Sequence, residues 1–253
     1  MKFFKTLVKI ACIFLCVVSL SFTAFSQNIG FSVSPEVSYR NLVKTDFVPG
    51  IDDFIEENND LSESIIGFTA EAFFVKPFAR KLYFETGVSF SRDGYNSFIR
   101  DLTPESLLLT GVLNSDDPGF DSTEEIETQD RFLSIGIPLR LAFTTDGKNV
   151  KFTWSLGVTP EYLIESSSTR IYKFSSGEQE TFDNDFESAP AEFNLTTSLS
   201  AGVELPLNRT SALRIEPVVR YGVLPTFDRD AYEVNIFSYG LSFKYLFKVG
   251  FPY

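Results

Sequence analysis

Ten charged side chains recur at alternate positions inside segments that are otherwise apolar on every second residue: Glu36, Glu71, Glu85, Glu161, Glu204 and Glu216, with Arg140, Arg214, Arg220 and Lys244. Enclosed charges of this kind do one thing well, which is pair, because a buried ion without a partner carries a large desolvation cost. A polar conduit is the other use of such a set. Catalysis has little to work with. The chain has no His, and its two cysteines, Cys12 and Cys16, lie in the amino-terminal apolar segment. The commonest general base and, once that segment is removed, the thiol nucleophile are therefore missing, and Ser-His-Asp chemistry is excluded. No catalytic, cofactor-binding or metal-ligating residue is assigned, and no cofactor is implied. Acidic clusters at Asp52-Asp53 with Glu56-Glu57, at Asp116-Asp117 with Asp121, and at Asp183-Asn184-Asp185 offer oxygen ligands of the kind Ca²⁺ takes. None has the spacing of an EF-hand loop, and solvated, self-repelling loops account for them.

The elements that must position the charges are long strands. From Leu133 to Phe143 every second residue is apolar, with Ser134, Gly136, Pro138, Arg140 and Ala142 between them. Asp146-Gly147 marks a hairpin turn, after which Phe152, Trp154, Leu156, Val158, Pro160, Tyr162 and Ile164 alternate with Lys151, Thr153, Ser155, Gly157, Thr159 and Glu161. Strands of roughly 12–16 residues are about twice the usual soluble length and long enough to cross a bilayer when tilted. Their polar face is mostly Gly, Ser, Thr and Ala, which suits a crowded barrel interior, while the broad aliphatic and aromatic face suits lipid. The competing arrangement is a lipocalin-like barrel or sandwich with the apolar face inward.

The same alternation predicts strands over Ile29 to Arg40, Ser64 to Lys76, Leu82 to Phe90, Phe193 to Leu205, Leu213 to Tyr221 and Tyr232 to Phe247. Acidic loops are expected over Asn41 to Glu63, Arg92 to Gln129 and Ser166 to Ala189, with a short helix from Ser106 to Leu113 capped by Thr103-Pro104. Connections alternate long and short, as in outer-membrane barrels with short periplasmic turns and longer outer loops. The expected fold is all-β: a closed antiparallel up-and-down transmembrane β-barrel of about eight strands. Aromatics cluster at strand ends on the apolar face. Phe31, Phe74, Phe84, Phe143, Phe152 and Tyr245 would form one girdle, and Tyr39, Phe68, Phe90, Tyr162, Phe193, Tyr221 and Tyr239 the other. Pro35, Pro138, Pro160 and Pro217 lie inside strands and each forfeits a ladder hydrogen bond, which predicts local bulges there.

At the amino terminus, Lys2, Lys5 and Lys9 precede an apolar run from Ile10 to Leu20 and then small polar residues. This reads as a secretory signal peptide over 1–26, with the barrel domain over 27–253. The 253-residue chain carries a net charge of −12. Loss of the three lysines would take it to about −15, a poor match for nucleic acid.

The runs FLSIGIPLRLAF, WSLGVTPEYLI, LSAGVEL and LRIEPVVRYGV resemble the PorT-like outer-membrane β-barrel family, over nearly the whole chain after the signal segment. The resemblance implies a small barrel in the outer membrane of a Gram-negative cell, with outer-membrane lipids around it. One member's role in protein secretion suggests envelope or secretion proteins as partners of the loops. Ser238, Gly240, Phe243 and Tyr245 in the last strand are similar to the signal read by the barrel-assembly machinery, although the chain continues past Phe247 with KVGFPY. The function expected is that of a non-enzymatic barrel, structural or partner-binding through acidic loops, with a small-solute pore as the alternative. Neighbouring strands in a meander would give Arg140 its partner from Glu85 or Glu161.

Overall fold

The computed structural model describes residues 27–45, 55–56, 59, 62–99, 123–147, 149–184, 189–228 and 232–249. The signal segment over 1–26 and the short helix expected from Ser106 to Leu113 lie outside them. The strands are β1 (Gln27–Lys44), β2 (Ser62–Ala79), β3 (Leu82–Ile99), β4 (Thr123–Gly136), β5 (Leu139–Thr144) and β6 (Lys151–Phe174). They continue with β7 (Gln179–Asn184), β8 (Phe193–Pro206), β9 (Ser211–Gly222), β10 (Phe227–Asp228) and β11 (Tyr232–Val249). β5 prolongs β4 past Ile137 and Pro138, since both pair with β3 and β6 on one register. Taking β4 and β5 as one, β1, β2, β3, β4/β5, β6, β8, β9 and β11 pair in that order, each antiparallel to the next. β11 pairs back onto β1, from Gln27 opposite Val249 to Lys44 opposite Tyr232, and closes an eight-strand ring.

The alternation that forms the strands also decides which face is inside. In β6, Thr153 and Ser155 are each 2% exposed, whereas Trp154 is 50% and Leu156 58% exposed. Phe31, Val33, Phe74, Val88, Phe90, Leu199 and Phe243 likewise face outward. A soluble barrel has the opposite arrangement. Each wall strand is longer than the roughly 9–11 residues a tilted transmembrane strand needs. The expected girdle residues meet at both ends of the outer face. Tyr39 meets Tyr239 edge-on at 6.2 Å and Phe68 lies 6.3 Å from Phe90, while at the other end Phe31 meets Phe247, a ring outside the expected girdle, at 6.5 Å.

The two ends of the ring differ. At one end, with Gln27 and Val249, the connections are short: Arg80 and Lys81, residues 145–150, and residues 207–210. At the other, the wall is higher than the expected loops allowed. β3 and β4 stay paired out to Ile99 opposite Ile126, and β4 and β6 out to Thr123 opposite Phe174. Residues 92–99, 123–129 and 166–174 are therefore strand rather than loop, and β6 folds back on β7. Beyond the lipid both faces of a strand are polar, so the period-2 signal vanishes while the hydrogen-bond ladder continues. The prolines also behave differently from expectation. Register runs unbroken past Pro35, Pro160 and Pro217, while pairing lapses for two residues at Pro35 against β11, at Pro217 against β8, and at Ile137 and Pro138. The register shifts fall elsewhere, between Ser64 and Phe68, between Pro77 and Ala79, between Thr123 and Glu125, and between Leu133 and Ser134.

Candidate functional site

The narrow lumen of an eight-strand barrel is filled by side chains, and here they lie in layers. Nearest the short turns, Phe73, Val75, Ala212 and Leu246 form an apolar plug with Tyr83 packed against it. Above it, Arg214 on β9 donates to Glu85 Oε1 at 2.6 Å through Nη1 and to Glu204 Oε2 at 2.9 Å through Nη2. Lys244 on β11 contacts Glu216 Oε2 at 2.8 Å and Glu85 Oε2 at 3.5 Å, the second a charge contact rather than a hydrogen bond. Glu216 also accepts from Thr153 at 2.7 Å and Ser200 at 3.0 Å. Lys151 reaches Glu204 Oε1 at 3.0 Å from the turn-side mouth.

The next layer holds Arg140, Glu71, Arg220 and Glu36. Arg140 grips both oxygens of Glu71, with Nη1 to Oε2 at 2.8 Å, and Ser32 donates to Oε2 at 3.0 Å. Arg220 Nε donates to Glu36 Oε1 at 2.9 Å while its Nη2 stands 3.7 Å from Glu71. The pairing expected for Arg140 is thus corrected. Glu85 does sit opposite Arg140 in the β3–β5 ladder, yet its carboxylate is taken by Arg214 and Lys244 from strands β9 and β11. Glu161 accepts from Thr196 at 2.6 Å. Eight strands leave a lumen narrow enough for side chains to meet across it, so adjacency in the ladder does not choose the partner. Gly157 opens the wall beside Arg140, since a Cβ there would collide with the arginine Cγ.

The last-strand residues divide by face. Ser238 points inward and donates to Glu36 Oε2 at 2.8 Å, and Gly240 lies opposite Glu36, where a Cβ would strike the Pro35 carbonyl oxygen. Phe243 and Tyr245 lie on the outward face, Tyr245 4.5 Å from Phe247 ring to ring.

Toward the long connections the charges thin out into a cavity of about 50 Å³ lined by Thr69, Asp93, Glu161, Asn194, Thr196 and Thr226 among others. Leu42, Tyr95, Phe132, Phe227, Tyr232 and Val234 form an apolar cluster at this end, drawn together partly by the 223–228 segment, whose Thr226 carbonyl accepts from Ala191 N at 2.8 Å. Asp93 belongs to a stretch expected to be loop. The run Gly87, Ser89, Ser91, Asp93 continued the inward face of β3 and was the signal that could have found it. Outside the span, a hydrogen bond from Lys173 to Glu125 at 2.6 Å, with Glu127 at 3.2 Å, holds the Lys173 ammonium above the usual lysine range. At the turn end, the hydrogen bond from Lys81 at 2.8 Å holds the Asp146 carboxyl below its usual range.

A closed ring that turns apolar residues to the outside and pairs its charges within is a transmembrane β-barrel, which crosses the membrane with strands. Residues 23–228 match the family described as outer membrane protein beta-barrel domain, and the chain belongs to that family. It is a multi-pass β-barrel of the outer membrane. Comparison with curated proteins gave no match. Among solved structures, the chain is similar to Neisserial surface protein A at 14% identity, covering 86% of this chain and 96% of that one, with a TM-score of 0.36. It is similar to the attachment invasion locus protein Ail of Yersinia pestis at 10% identity, covering 88% and 100%, with a TM-score of 0.34. The outer membrane protein OprG from Pseudomonas aeruginosa is 12% identical, with 88% and 96% covered and a TM-score of 0.37. Likeness at this level carries no argument about activity.

Proposed function

We propose that this protein is a non-enzymatic outer-membrane barrel with a sealed lumen, acting at its loop end by binding an envelope partner. The observation that carries this reading is the filled lumen: the apolar plug around Phe73 and the cross-lumen ion pairs of Arg140, Arg214 and Lys244 leave little for a solute to traverse. A wall that runs on past the outer girdle supports the same reading. From Tyr162 to Phe174, β6 adds roughly 40 Å of extended chain at about 3.3 Å per residue. Along it β7 presents Glu180, Phe182 and Asp183, all exposed. Residues 1–26 direct export, the termini lie in the periplasm, and the long connections face outward. The Ser238, Gly240, Phe243 and Tyr245 strand serves the barrel-assembly machinery. The PorT-like sequence runs make a protein secretion assembly the first place to look for the partner.

Two measurements test this. Purified protein in planar bilayers should give no steady conductance; persistent open channels would make it a small-solute pore instead. Crosslinking in native membranes should capture an envelope protein on the β6–β7 hairpin in preference to the turn end.

A further inference from the structure

The lumen's charges do not balance evenly along its length. Asp93, Glu161 and Arg220 are the charged residues that line the loop-end cavity; Arg220 is held by Glu36 and stands 3.7 Å from Glu71 in the layer below, where Arg140 grips Glu71. The charged groups around Asp93 are Glu36, Glu161 and Arg220, and around Glu161 they are Arg220, Glu36 and Glu71. Glu161 accepts a hydrogen bond from Thr196. Among the described residues neither Asp93 nor Glu161 makes an ion pair within 4 Å, since the nearby Arg220 is held by Glu36. A second observation is independent of charge. Thr69 is 2% and Thr226 6% exposed, both line this cavity, and each has a hydroxyl oxygen with no hydrogen-bond partner. Buried hydroxyls are ordinarily satisfied, so two orphaned ones beside two unmatched carboxylates point to something bound between them.

We propose that this cavity is a binding site for one divalent cation, held by Asp93 and Glu161 with the Thr69 and Thr226 hydroxyl oxygens. Its charge offsets the two carboxylates that no ion pair reaches. The donors are all oxygen, which selects a hard ion over a thiolate- or imidazole-seeking one. The cavity, of about 50 Å³, has room for one ion together with a few waters, a water needing about 10–15 Å³ on this measure. Mg²⁺ keeps several waters in a strict octahedron, whereas Ca²⁺ accepts irregular mixtures of carboxylate, hydroxyl and amide oxygens. Ca²⁺ is therefore the ion the site fits. Bound there, it ties β2, β3 and β6 to the 223–228 segment and fixes the loop end of the barrel.

The test is calorimetric titration of calcium chloride into chelator-treated, full-length protein in detergent micelles, with thermal unfolding in parallel. One saturable event is expected, with a dissociation constant of about 10⁻⁴–10⁻³ M as in extracellular modules, together with a rise in unfolding temperature. Asp93→Asn combined with Glu161→Gln should abolish both, while heat-modifiable gel migration reports that the variant is folded. Thr69→Val, which leaves every charge in place, should weaken binding about tenfold through loss of one oxygen to a charged group. Glu56→Gln with Glu57→Gln should leave the event unchanged. Absence of a saturable event in the wild type would overturn the proposal, as would its survival in the Asp93 and Glu161 double variant, which would move the ion to the acidic loops.

Discussion

In the turn half of the lumen, Glu85, Glu204 and Glu216 face Arg214, Lys244 and Lys151, three carboxylates against three cations within 4 Å contacts, over an apolar plug. In the loop half, Glu36 and Glu71 pair with Arg220 and Arg140, Asp93 and Glu161 make no ion pair among the described residues, and a cavity opens beside them. The same residue types thus serve two ends. Balanced and closed, they hold the wall strands together across the lumen. Short of cations and opened out, they leave a capacity to bind. This difference teaches that a filled barrel interior is not uniform filler, since its charge balance varies layer by layer.

Variants that move charge in one half and then the other test this division. Arg214→Met should have the largest effect, since it takes one guanidinium from Glu85, Glu204 and Glu216 at once and leaves three carboxylates to Lys244 and Lys151, with a loss of about 3–5 kcal/mol in urea unfolding from liposomes. Adding Glu204→Gln should restore only part, because Glu85 keeps its need for the guanidinium. Arg140→Met should cost somewhat less, about 3 kcal/mol, since Arg220 remains 3.7 Å from Glu71. A double-mutant cycle should show coupling of about 0.5–3 kcal/mol to Glu71 and none to Glu85 or Glu161; coupling to Glu85 would mean that ladder neighbours choose the partner after all. Glu161→Gln, in calcium-free buffer, should cost no more than about 1 kcal/mol, the net value of the hydrogen bond from Thr196 that an amide can still accept. A loss as large as that of Arg214→Met would erase the distinction between the halves.

The smallest effect belongs outside the span. Lys173→Met should cost under about 1 kcal/mol at neutral pH, as exposed pairs do. Its folded-state pKa is raised, so its contribution is present in full below the unfolded value near 10.5 and is lost as pH climbs through the higher folded value. Unfolding temperatures of wild type and variant should converge in strongly alkaline buffer, whereas a gap that persists there would assign the loss to packing.

Much of the wall was legible in the residues themselves. Leu133 to Phe143 and Phe152 to Ile164 alternate so regularly that strand, face and environment follow together, and Asp146-Gly147 fixes their connection. The alternation fails past the lipid boundary, and so residues 92–99 and 166–174 read as loop although the ladder carries them as strand. The prolines misled for a related reason. A long two-sided ladder tolerates one missing donor without shifting register, so Pro160 and Pro217 remain in line. The apolar alternation of β3 predicts its end at Phe90, which puts Asp93 in the expected loop.

Sequence by itself determined that this chain forms long amphipathic strands, turns aromatic residues toward lipid and carries charge on the inward face. Those are properties of period and composition, which each segment holds locally. Tertiary structure alone decided that Arg140 meets Glu71 while Glu85 goes to Arg214 and Lys244, and that Asp93 and Glu161 share a cavity with two unpartnered threonines. The reason is geometric. Partners in the lumen meet across a closed ring, at heights set by strand tilt and register, and no local pattern in the chain encodes the distance between opposite walls.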